Sequence, residues 1–208
     1  MHGILRSRIA NSAARTATYA ILCLGLAAGS NGGVLNNSTL DGDSALDGKR
    51  TTFLLNGRPV DEWQPPLKKN LFDNYKQALN SITDAKSCLL DDNLPESKIN
   101  WDKINSLEHL NVCIFFTAVQ LRSVSLAKNW LLRNNFIVSK SNILSASIMR
   151  KMGVDGEGEE FSAALANAEF PKSLNAITSV LRPKNLGVTI TFDEHSRPLN
   201  VNSGFNYK

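Results

Sequence analysis

Chemistry has few places to stand in this chain. Histidine occurs only as His2, His109 and His195, and cysteine only as Cys23, Cys88 and Cys113. No two histidines are spaced as metal ligands, and neither His-Glu-x-x-His nor Cys-x-x-Cys occurs, so the sequence offers no metal centre and no cofactor site. Asp193-Glu194-His195-Ser196 holds the residue types of a hydrolase relay. A relay needs three groups converging on one point, however, and contiguous residues in a turn point in different directions. That run reads as an exposed turn. His109 stands alone in an apolar stretch and reads as a helix residue satisfied in place. No residue is therefore assigned a catalytic role.

Asp155-Gly-Glu-Gly-Glu-Glu160 resembles a calcium loop in composition only. Such a loop needs glycine at its sixth position and a bidentate glutamate at its twelfth, where this chain has Glu160 and Ala166. Nor is it a phosphate cradle, because no Gly-Lys-Ser/Thr follows and the carboxylates would repel phosphate. The run reads as the solvated start of a helix.

The cysteines bear on compartment. The first forty residues contain no acid, carry Arg6, Arg8 and Arg15, and pass into the apolar stretch Tyr19–Ala28 before the small residues Gly29 and Ser30. A cationic segment, a short apolar core and small residues form the layout of a secretory signal peptide, and the core is shorter than the twenty or so residues of a membrane span. Residues 1–30 are expected to be that leader, with a mitochondrial transit peptide or an uncleaved anchor as alternatives. Residues 31–50, rich in Gly, Asn, Ser and Asp, read as a flexible linker, and residues 51–208 as one globular domain. The overlapping glycosylation sequons at Asn36 and Asn37 fall in the linker.

Removal of the leader leaves Cys88 and Cys113 as the candidate disulfide of an exported protein. If both lie on antiparallel helices, their positions differ by about 6 to 14 Å along the axes at about 1.5 Å per residue. A bridge needs alpha-carbons within about 7 Å. The spacing thus favours two buried thiols over the bridge. The leader also accounts for the basic balance: the chain is +4, but without residues 1–30 it holds 20 Lys and Arg against 19 Asp and Glu. A nucleic-acid partner loses its support with that charge. Residues 109–154 still contain six cations and no acid, which reads as cations closing one helix before acids open the next.

The elements that would position these residues follow from periodicity. Asn56-Gly57 between two short runs predicts a hairpin over 51–63, with Pro59 on an edge. Leu67, Leu71, Phe72, Tyr75, Leu79, Ile82 and Leu89 predict an amphipathic helix ending near Leu90. A second, central helix is expected from about Asp102 to Arg133, apolar on most sides; Thr117, Gln120 and Arg122 argue against its being a membrane span. A third is expected over 141–152 with Gly153 closing it, a fourth through Phe161, Leu165 and Ala168, and a short fifth from Pro171 to about Leu181. Alternation in Val188–Phe192 and Leu199–Asn202 predicts a second hairpin, and the two hairpins are expected to meet in one small sheet.

The expectation is a mainly helical α+β domain of about five helices with two small β-hairpins. Its expected role is that of an exported protein-interaction domain, an accessory factor, inhibitor or effector, with a protein partner, no nucleic acid, and membrane contact only through an uncleaved leader. The alternatives are a secreted or periplasmic hydrolase with an unrecognised site, and a mitochondrial or membrane-associated assembly protein.

Overall fold

The structure is a computed structural model that describes residues 52–55, 57–60, 69–166 and 183–207, all within the unit Gly48–Lys208. The leader, the linker with its sequons, Cys23 and the expected fifth helix lie outside the described residues.

The described elements run β1 (Leu54–Leu55), β2 (Arg58–Pro59), α1 (Lys69–Ser81), α2 (Leu107–Leu121), α3 (Val124–Arg133), β3 (Ile137–Val138), β4 (Asn142–Leu144), α4 (Ala146–Lys151), β5 (Gly158–Ala166), β6 (Asn185–Asp193) and β7 (Pro198–Asn206). Four helices and seven strands, five of them in one antiparallel sheet, replace the mainly helical domain expected. The fold is a sheet-rich α+β domain.

The main reversal is β5. Gly158–Ala166 carries alanine, leucine and glutamate, residues suited to a helix, and Phe161 and Leu165 are spaced four apart. The same stretch also alternates: Phe161, Ala163 and Leu165 are buried while Ser162 and Ala166 are exposed. Tertiary pairing decides the ambiguity, because β5 pairs along its whole length with β6 and on its other side with β3 and β4. Order across the sheet is β3-β5-β6-β7, with β4 beside β3 on the same edge. Of the acids expected to open a helix, Glu159 and Glu160 therefore lie on a strand, and Asp155 and Glu157 in the connection before it.

The expected third helix divides into β4 and the six-residue α4, with Gly153 beyond it at φ 78°. The long central helix is two. Arg122 adopts φ 50° and closes α2, and Ser123 then caps α3, its hydroxyl accepting from the Leu126 amide at 3.4 Å. Serine at a helix start offers an oxygen to an amide that has no intrahelical partner, so it favours a new start over continuation.

A comparable competition ends α1 at Ser81, well short of Leu90. The Ser87 amide donates to Asp84 Oδ1 at 2.9 Å, and the Ser87 hydroxyl accepts from the amides of Thr83 and Asp84, both at 3.1 Å. These local bonds nucleate a 3-10 turn, Lys86–Cys88, in place of another helical turn.

The core forms where α2 lies on the inner face of the sheet. His109 through Ala118 are buried without interruption. Phe115 meets Phe53 edge-on at 5.0 Å, and Phe53 meets Tyr75 at 5.4 Å, so the first hairpin and α1 close one end. Phe161 and Phe192 stack at 6.0 Å beneath the sheet. Each large side chain so buried contributes about 1.5–3 kcal/mol. The small sheet expected from two hairpins does not form as such. Among the described residues β1 and β2 form a two-stranded sheet of their own, β6 and β7 belong to the larger sheet, and the Gly57 amide donates to the Leu199 carbonyl at 3.2 Å between them.

Candidate interaction surface

His109 stands at the third position of α2, 4% exposed, with Nδ1 at 3.0 Å from the hydroxyl of Ser106, which also accepts the His109 amide at 3.3 Å. Burial lowers the His109 pKa below 6.5, and the Glu108 charge opposes that shift. A serine and a histidine are thus in contact, but as a cap: the hydroxyl is held by the helix it starts.

Asp193 is buried and organises the turn between β6 and β7. Its carboxylate accepts from the amides of His195 at 2.9 Å and Arg197 at 2.8 Å, and from Arg197 Nε at 2.6 Å. The His195 ring is exposed and faces Glu194 at 3.6 Å. The structure therefore does not bring Asp193, His195 and Ser196 into a relay.

Cys88 and Cys113, the two candidate bridge residues, are fully buried and joined as a disulfide with Cα atoms 5.8 Å apart. The axial mismatch that favoured separate thiols does not arise, because it assumed that Cys88 sat on α1. With α1 ending at Ser81, the chain turns back and carries Cys88 to the flank of α2. The connection 82–106 is fixed further by the Trp130 indole, which donates to the Ser97 carbonyl at 2.8 Å, and by Asn134 Oδ1, which accepts from the Ile99 amide at 2.8 Å.

A cluster missed in the sequence lies beside β4. Lys128 on α3 donates to the Ser141 hydroxyl, reaches Glu159 at 3.3 Å and lies 5.2 Å from the centre of the Phe161 ring. Its partners come from two other elements, so spacing along the chain gave no sign of them. Lysine and serine in contact can form a nucleophile and base. Here the ammonium also faces a carboxylate and a ring, which makes it a strut between α3 and the edge of the sheet.

What remains available is the sheet itself. Its outer face carries Ser162 and Thr189, whose hydroxyls meet at 3.1 Å, followed by Asn202, and a shallow concavity of about 350 Å³ crosses Ala164, Gly187 and Gly204 to Ile137. The β3–β4 edge borders that face. Between the pairs Val138–Ala163 and Asn142–Glu160 the edge advances four residues while β5 advances three, so residues 139–141 form a bulge. Ile137, opposite Ala164 on that outer face, is 73% exposed, and Ile143, opposite Glu159 on the face of Phe161, is 70% exposed; no strand pairs with the far side of β3 or β4 among the described residues. Among the described residues, no His, Cys, Asp and Glu group could hold a metal ion, and no helix is long and apolar enough to cross a membrane.

No family model, no curated protein and no solved structure matches the chain.

Proposed function

We propose that this protein is an exported, disulfide-linked α+β domain that acts by binding another protein, and that the β3–β4 edge of its sheet is the contact surface. The observation that carries this reading is the pair of exposed isoleucines, Ile137 and Ile143, on an edge without a strand partner among the described residues. An open edge presents unpaired backbone groups, and exposed apolar side chains there are a cost unless they are covered in use. Export is supported by the leader-like opening of the sequence and by the Cys88–Cys113 bridge, a linkage that persists in oxidising compartments.

Photo-crosslinking in the native host tests the reading. A crosslinker at position 143, compared with one at the exposed Asp73 of α1, is expected to give a discrete protein adduct in the exported fraction from position 143 alone. Equal capture from both positions, or recovery of the chain only inside the cell, would overturn it.

A further inference from the structure

The edge also carries a charge pattern that selects its occupant. Lys140 sits in the bulge; Arg150 and Lys151 end α4, which leads from β4 toward the first hairpin, where the Met152 carbonyl lies beside Gly57, itself bonded to Leu199 of β7. All three are exposed and none makes an ion pair within the described fold. Glu159 is engaged with Lys128, and Glu160 with the Thr191 hydroxyl at 3.1 Å, while Asp155 and Glu157 stand exposed just after α4. The two other cations of this region with ion pairs are Lys128 and Arg133, the latter joined to Glu96. The edge itself, residues 137–144, holds Lys140, the two exposed isoleucines and no acid.

A lysine within a short, bulged edge strand is a device against self-pairing, because a second copy docked antiparallel would set two such lysines near each other. The same charge attracts a strand of opposite sign. Resting on the protein-binding reading above, we infer that the β3–β4 edge accepts an extended, acidic segment of its partner, added as a further strand beside β4. Main-chain bonds along Asn142–Leu144 would supply the pairing, Ile143 the apolar contact, and Lys140 the preference for acids between apolar residues.

The probe is a capped hexapeptide alternating valine and glutamate, compared with its valine–lysine counterpart, titrated into the oxidised protein with isotope-labelled backbone amides. The acidic peptide is expected to shift the amides of residues 139–144 and to leave α1 unmoved, with an affinity that falls as salt is added. Lys140→Glu, a change at an exposed side chain, is expected to weaken it by about fivefold, the size of one cross-strand charge pair. Ile143→Thr, which removes apolar contact and adds no charge, should weaken it without unfolding the sheet. The inference fails if the basic peptide binds as well, if the shifts map elsewhere, if Lys140→Glu changes nothing, if neither peptide binds, or if the protein dimerises through this edge. In each of those cases crosslinking from position 143 still decides separately whether the edge meets a protein.

Discussion

Asn111 is buried between α1 and α2, where its amide donates to the Tyr75 hydroxyl at 2.9 Å while its own carbonyl oxygen has no partner. Tyr75 is itself 3% exposed, and burial raises its pKa above 10.0, with the Asn111 bond acting against that rise. Tyr75→Phe strands the rest of the Asn111 amide and is expected to cost about 1–3 kcal/mol in denaturant unfolding. The double variant Tyr75→Phe with Asn111→Leu should recover most of that loss, since removing both polar partners is far cheaper than removing one. His109 gives a pH dependence. Its pKa in the folded chain lies below the 6.5 of the free side chain, so the unfolded chain takes up the proton first. Its contribution to stability is complete above about 6.5 and is lost as pH falls toward the depressed folded value. The urea midpoint should therefore fall more between pH 7.5 and pH 5 in the native protein than in His109→Gln; equal falls would refute the assignment. Asp193→Ala, by removing the acceptor of two amides and a guanidinium, should destabilise the fold by about 1–3 kcal/mol, while His195→Ala beside it should change little.

Among the elements, β5 shows most clearly what a single sequence conveys. Its alternation of Phe161, Ala163 and Leu165 was legible, but so was a helical reading of the same residues, and only the presence of β6 on one side and β3 and β4 on the other decides between them. The first hairpin and the β6–β7 hairpin were legible because their signals are local: Asn56-Gly57 in one, alternation on either side of a polar turn in the other. The central apolar helix was legible in its burial and not in its length, since the break depends on Arg122 entering a left-handed conformation. The proposed contact surface was not legible at all, because an edge is defined by what does not pair with it. Two tests belong at this scale. A methyl group added at Gly158 would come within 2.6 Å of the Phe192 carbonyl oxygen and of Met149 Cε, so Gly158→Ala should shift the β5–β6 pairing and cost about 1–3 kcal/mol by thermal unfolding. Replacing Cys88 and Cys113 together, which opens a covalent loop with a sequence separation of 25, should cost about 3.5 kcal/mol if the bridge acts by restricting the unfolded chain. Serine at both positions and native protein under reductant should then unfold at similar denaturant concentrations.

At the scale of the whole molecule, the described fold is a helical half laid on a sheet half, with α2 as the shared surface and the first hairpin tied to β7 through Gly57. The two halves differ in the reach of their contacts along the chain. α1, α2 and the connection between them lie within residues 69–121, whereas the sheet is assembled from residues 137–206. The covalent loop from Cys88 to Cys113 lies wholly in the first of these stretches. If the chain is exported from the amino end, as proposed above, both sulfurs would reach the far side of the membrane before any strand of the large sheet had followed. In that case the bridge could close on a chain that does not yet contain its own sheet, and the helical half it fixes would be the platform on which the strands are later laid.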